Sequence, residues 1–251
     1  MAVSLNSYIF GIFTVGVKDI SFVAMSSETP NPQFNIVDLS RHGDVESCIG
    51  PFKSLRLRSL QLNPESFTST YEEEAQFTVD VWEGRLKNPL ASQIVAIPAD
   101  ASAQPDWVGM IVLLGPVANE LETRTPPRKS ITSESLDEQD TVDCDGVARY
   151  NINALFTMPS VRRLGLGETL VRSAINLAKD KEGKRRAGAV RVGIMADSRN
   201  LPAKCLYEKC GFVVIGESDI SHFGTRGSIP DQPANQRCRT GLMMEQYILL
   251  P

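Results

Sequence analysis

Two short stretches carry side chains whose types and spacing bear on chemistry. The first is RRLGLGETLVRSAINLAKD, residues 162–180. Arg162 and Arg163 precede Gly165 and Gly167, and an apolar repeat with helical spacing follows at once. Leu166, Leu170, Ala174 and Leu177 make one stripe, with Val171, Ile175 and Ala178 beside it, so this face is predicted to be buried. A helix beginning near Gly165 leaves its first N–H groups without intrahelical partners, and its dipole adds about half a positive charge there. The glycines uncover those donors and the arginines add charge at the rim, a combination that suits a phosphate or diphosphate. The plainer alternative is a tight strand-to-helix turn with solvated arginines. The second stretch is NLPAKCLYEKCGF, residues 200–212. Asn200 suits a helix N-cap and Pro202 is tolerated in a first turn. Tyr207 follows Asn200 by two turns and can share its face. By itself it reads as a half-buried core tyrosine.

Two familiar phosphate motifs fail here. A P-loop requires Lys-Ser/Thr after its last glycine, where Glu168-Thr169 stands, and a dinucleotide fingerprint requires a third glycine where Leu170 stands.

The elements that must position these groups are legible as a mixed pattern. FNIVDL (34–39) reads as a strand, FKSLRLRSLQLNPESF (52–67) as a helix ending near Asn63-Pro64, and TYEEEAQFTVDVWEGRLKN (70–88) as a helix. For the last, Phe77, Val81 and Leu86 are the expected apolar face, and Glu72, Glu73 and Glu74 lie in the first turn, where the dipole favours acid. Residues 93–98 and 106–117 read as neighbouring antiparallel strands. Strands are expected at 148–158, 188–196, 212–220 and 242–249, with a short helix over 201–210. The predicted class is α/β or α+β: one domain over 34–251, preceded by an extension of unknown role at 1–33. Within that extension, YIFGIFTVGV (8–17) reads as a strand or hairpin rather than a targeting segment, and 26–33 as a linker. Residues 119–146 contain no aromatic residue and are rich in Ser, Thr, Asp and Glu, so they are expected to be a mobile acidic insertion.

Composition narrows the partners. The chain has 251 residues, 42% hydrophobic content and a net charge of −4, which fits a globular protein without general affinity for nucleic acid or anionic membrane. Five scattered cysteines, no CxxC and two histidines argue against a zinc site or a disulfide framework. The expectation is no metal and a reducing compartment: the cytoplasm, with the nucleus also open.

Together the two stretches resemble the GNAT acyltransferases. Arg162 to Gly167 matches that family's R/Q-x-x-G-x-G/A motif, with Pro159 three residues upstream. Asn200, Ala203, Leu206, Tyr207, Gly211 and Phe212 fall in register with its N-x-x-A-x-x-L-Y-x-x-x-G-F segment, one strand downstream. The resemblance covers residues 148–220, and small fungal-type members share the look of the first helical region. It implies a GNAT-like central sheet, mostly antiparallel, splayed at the glycine strand and flanked by helices, with acetyl-CoA as co-substrate. The backbone of Leu155, Phe156 and Thr157 would hold the pantetheine amides. The backbone from Arg163 through Leu164, Gly165, Leu166 and Gly167 to Glu168 would take the diphosphate, with Arg162 at the rim and Asn200 and Ala203 contacting the cofactor. Tyr207 would protonate the departing thiolate, and the N–H of Thr157 would meet the oxyanion. A base is missing: Asp197 stands near a strand end, Asn151 and Asn153 take no proton, and a water or a carboxylate from residues 65–74 would have to serve. The run KDKEGKRR (179–186) would either reach the 3′-phosphate or be a solvated helix end. Cys205 and Cys210 are expected to pack in the helix. The implied activity is N-acetylation of a primary amine, on a small molecule or a protein, by a monomer or homodimer. A non-catalytic acyl-CoA sensor and an unrelated nucleotide-binding fold are the competing readings.

Overall fold

The computed structural model describes residues 34–41, 44–99, 106–117, 146–183, 187–220 and 239–251. The expectations for residues 1–33, for the acidic insertion and for the Gly/Pro-rich stretch at 223–235 lie outside the described residues.

Seven strands form a single sheet: β1 (Phe34–Asp38), β2 (Ala91–Pro98), β3 (Gly109–Leu114), β4 (Val147–Thr157), β5 (Ala189–Asp197), β6 (Val213–Asp219) and β7 (Thr240–Leu249). Their spatial order is β1-β2-β3-β4-β5-β7-β6. Only β4 and β5 pair in parallel; every other neighbour is antiparallel. A parallel pair needs a crossover, and α4 (Leu166–Gly183) supplies it between β4 and β5. The mixed, mostly antiparallel sheet flanked by helices agrees with the predicted class.

Residue alternation sends successive side chains to opposite faces. On one face Ile94, Ile111, Leu113, Tyr150, Ile152 and Val192 pack with Leu166, Leu170, Ala174 and Leu177 of α4 and with Tyr207 of α5 (Leu201–Lys209). The whole apolar stripe predicted for α4 is buried. On the other face Val95, Met110 and Phe156 pack with Phe52, Leu55, Trp82 and Leu86, which belong to α1 (Val45–Leu62) and α3 (Val79–Lys87).

The early helices differ from expectation. α1 starts seven residues earlier than the sequence pattern suggests, capped by Asp44, whose Oδ1 accepts from the Ser47 N–H at 3.2 Å, and it carries Pro51 inside it. Its end at Asn63 is as predicted. The helix expected over 70–88 is two helices, the four-residue α2 (Tyr71–Glu74) and α3. The break follows Glu74, which the arginines of α1 and α3 draw into the interior. After the break Leu86 is buried and Phe77 packs on the core as predicted, but Trp82 takes the inward place expected for Val81, which is exposed.

Candidate active site

The site begins as a defect in the sheet. The β4–β5 ladder runs from Val147↔Ala189 to Ile152↔Ile194 and ends there, although β4 continues to Thr157 and β5 to Asp197. On its other side β4 pairs with β3 with a slip: Met110 faces Phe156 and Val112 faces Asn153, so Ala154 and Leu155 together oppose Ile111. This is a β-bulge, which bends and twists the strand that carries it. Ala154 takes φ +51°, a conformation that costs about 1 kcal/mol or more outside glycine. Beyond Ile152 the two strands separate. Backbone groups of Asn153–Thr157 on the β5 side thus lack a ladder partner, in a segment that holds the predicted Leu155, Phe156 and Thr157. Phe156 is buried, and Leu155 and Thr157 are half-buried.

Directly after β4 the chain turns into α4. Arg163 (φ +67°) and Gly165 (φ +81°) both adopt left-handed backbone, which glycine accepts without penalty. The first bond of the helical ladder runs from the Thr169 N–H to the Gly165 carbonyl at 3.1 Å. The N–H groups of Leu166, Gly167 and Glu168 precede that bond and have no place in the ladder. The mouth is held against the sheet at Gly109 of β3: a Cβ there would lie 3.1 Å from Leu170 Cδ1 and 3.3 Å from Leu166 Cδ2. Arg163, Leu164 and Gly165 are exposed, Leu166 is buried, and Gly167 and Glu168 are half-buried. Hydrogen bonds from Lys209, then from Arg172, hold the Glu168 carboxyl below its usual range against the opposing effect of burial. The Lys209 Nζ lies 2.5 Å from Glu168 Oε2, which ties α5 to the first turn of α4.

On α5, Asn200 is the N-cap, as predicted: its Oδ1 accepts from the Ala203 N–H at 3.2 Å. Both residues are half-buried. Tyr207 is only 6% exposed and meets Phe212 edge-on, ring centroids 6.0 Å apart. Burial first, then the nearby Cys210, raises its pKa, so it stays protonated throughout the physiological range. Cys210 is buried as expected, but Cys205 is exposed, on the outward side of its short helix.

Three of the carboxylates suggested as bases, Asp197, Glu74 and Glu73, are occupied. Burial alone would raise the Asp197 pKa, but Arg199 and then Arg239 outweigh it and hold the carboxyl at about 2. Glu74 is likewise pushed up by burial and pulled down further by Arg56, then Arg85, to about 2; its oxygens accept from Arg56 at 2.8 and 3.1 Å and from Arg85 at 2.8 Å. Glu73 is spent on a reciprocal capping box with Thr70. The basic run at 179–183 lies at the far end of α4, about 20 Å along the axis from Gly167 at 1.5 Å per residue. There Lys181 donates to Ser92 Oγ at 2.7 Å. These residues are too distant to serve the glycine turn, and 184–186 lie outside the described residues.

Two arginines make contacts that sequence reasoning missed. Arg162 Nε donates to the Thr157 carbonyl at 3.2 Å, and its Nη2 donates to Asn63 Oδ1 at 2.6 Å. Arg239 donates from Nε to Asp197 Oδ2 at 3.0 Å and from Nη2 to the Glu65 carbonyl. No local sequence signal links residues 63–65 to 162 or 239. Among the described residues no group of three His, Cys, Asp or Glu side chains is arranged to hold a metal ion, and no helix is long and apolar enough to cross a membrane.

A sheet that parts between its parallel strands beside the glycine turn leading into α4 is the architecture that the GNAT resemblance implies. Residues 136–214 match the acetyltransferase (GNAT) domain model. The fold is similar to that of Arabidopsis thaliana NAA60 in complex with acetyl-CoA, at 11% identity, covering 86% of this chain and 98% of that one with a TM-score of 0.51. It is similar to the same protein with a bisubstrate analogue, at 11% identity over 86% and 99% of the two chains, TM-score 0.51. An acetyltransferase of the GNAT family from Streptococcus pneumoniae matches at 15% identity over 86% and 99%, TM-score 0.51. No curated protein matches the chain by sequence.

Proposed function

We propose that this chain is an N-acetyltransferase that moves an acetyl group from acetyl-CoA directly to a primary amine. The observation that carries the reading is the parting of β4 from β5 beside the open first turn of α4. An extended pantetheine arm suits the unpartnered edge of Leu155–Thr157, as an added strand would. A diphosphate suits the N–H groups between Arg163 and Glu168. Asn200 and Ala203 flank this binding region from α5. Arg162 stands at its rim with its guanidinium turned to Thr157 and Asn63.

In this reading Tyr207 is the general acid. The departing thiolate needs a proton, and a buried tyrosine that stays protonated at neutral pH carries one to give as the C–S bond breaks. The N–H of Thr157 is the oxyanion donor. The acceptor is a primary amine of a small molecule or a protein, and with Asp197 and Glu74 locked as ion pairs its deprotonation falls to a water relay or to another carboxylate of residues 65–74. The free thiols of Cys48, Cys205 and Cys210 suit a reducing compartment such as the cytoplasm.

The locked carboxylates also favour a second reading, a non-catalytic acyl-CoA sensor. Thiol release separates the two. The acetyltransferase reading expects purified protein to bind acetyl-CoA and to release CoA thiol with members of a broad panel of amines and peptides. Tight binding without thiol release across that panel favours the sensor. Stabilisation by ATP or NAD with none by acetyl-CoA sinks both.

A further inference from the structure

The turn between α1 and α2 is attached to both lips of the opening. Asn63 Oδ1 accepts from Arg162, and the same guanidinium donates to the Thr157 carbonyl at the end of β4. Two residues on, the Glu65 carbonyl accepts from Arg239, which also grips Asp197 at the end of β5. Asn63–Ser66 thus bridges the ends of the two strands that separate. Its side chains continue the network: Asn63 Nδ2 donates to Glu65 Oε1 at 3.2 Å, and Ser66 Oγ donates to the same oxygen at 3.4 Å. The exposed Glu65 carboxylate is therefore fixed through one oxygen, leaving Oε2 for a ligand.

Charge accounting leaves this residue's carboxylate unspent. Asp197 and Glu74 each face two arginines, Glu73 caps α2, and Glu168 is paired with Lys209 and Arg172. Glu65 is paired with no cation among the described residues. We infer that Glu65 is a specificity-determining residue that meets the ammonium group of a cationic amine acceptor. Arg162 and Arg239 are positioning residues that hold its turn across the cleft. The inference rests on the acetyltransferase reading and names the acceptor class, an amine that arrives positively charged. It also assigns Arg162 to the acceptor side rather than to the diphosphate. Lysine cannot replace it, because a single point charge does not hold Thr157 and Asn63 together as a planar fork does.

The test uses the full chain with acetyl-CoA and a series of linear diamines, 1,4-diaminobutane among them, read by thiol release and by direct acetyl-CoA binding. Glu65→Gln is expected to raise the diamine KM by about tenfold or more, since a charge-assisted bond is lost, with acetyl-CoA affinity unchanged. Glu65→Asp recovers part of that loss. Arg162→Lys raises the acceptor KM in the same way and leaves acetyl-CoA affinity intact. Three results overturn the inference: Glu65→Gln with a wild-type KM, Arg162→Lys that weakens acetyl-CoA binding while sparing the acceptor KM, or a wild type that binds acetyl-CoA yet acetylates no diamine. A wild type without acetyl-CoA affinity brings down the acetyltransferase reading itself, and the binding measurement identifies that outcome.

Discussion

Tyr207 sits in the larger core cluster yet keeps a polar end, and burial raises its pKa, so it holds its proton at neutral pH until a stronger base forms beside it. If it protonates the thiolate, Tyr207→Phe removes one oxygen and leaves the ring that packs on Phe212. Steady-state kinetics should then show thiol release reduced by about a hundredfold or more, the usual range for general acids, with acetyl-CoA binding retained. Loss of binding in step with rate would instead mark the tyrosine as a packing residue. The spacing from Asn200 to Tyr207 was readable because helical periodicity is local, and the capping bond of Asn200 followed from its residue type. The grip of Arg239 on Asp197 and Glu65 was not readable: the partners lie 42 and 174 positions away. The exposure of Cys205 was missed for a related reason, since a nine-residue helix offers too few turns to reveal which side faces water.

At the level of elements, α4 and its preceding turn carry the most. The apolar stripe from Leu166 to Ala178 was fully legible, because seven positions at helical spacing over three turns overdetermine the buried face. The glycine turn makes a separable prediction. A Cβ on Gly167 would meet Leu206 Cδ2 at 3.2 Å, the end of a flexible side chain that can give way. Gly167→Val should therefore cost little stability while its bulk covers the N–H groups of the first turn. Isothermal titration is expected to show acetyl-CoA affinity lowered by about tenfold or more, equivalent to losing one or two hydrogen bonds to charged oxygens. Unchanged affinity would remove the diphosphate from this mouth. The break between α2 and α3 shows the opposite case. The local pattern over 70–88 is helical, but a long-range carboxylate–guanidinium cluster overrides it and rotates Trp82 inward in place of Val81.

For the molecule as a whole, that cluster pins α1, α2 and α3 to one another above the sheet. Glu74 is 1% exposed and bound by Arg56 and Arg85, whose guanidinium groups also lie over the Phe67, Phe77 and Trp82 rings at 4.7–5.0 Å. Its pKa falls from 4.5 to about 2 on folding, so the linked stability is fully present above pH 4.5 and lost as pH falls towards 2. The depression corresponds to about 3 kcal/mol at neutral pH. Glu74→Gln should lower stability at pH 7 by about 3–5 kcal/mol, because it leaves two guanidinium groups without their charge partner. It should also flatten the acid limb between pH 4.5 and 2. Urea denaturation of both proteins at several pH values measures the two effects together, and an unchanged acid limb would assign acid sensitivity elsewhere.

The sequence by itself determined the strands, the buried face of α4, the Asn200 cap and the order of the two motifs. Each of these depends on periodicity or residue type within a few positions of the chain. Tertiary structure decided where the sheet parts, since the bulge at Ala154 is a matter of register against β3 and has no residue signature of its own. It also decided which carboxylates are spent. Ionic partners meet only after distant segments pack, and the free energy of a charge depends on the burial and neighbours that packing creates.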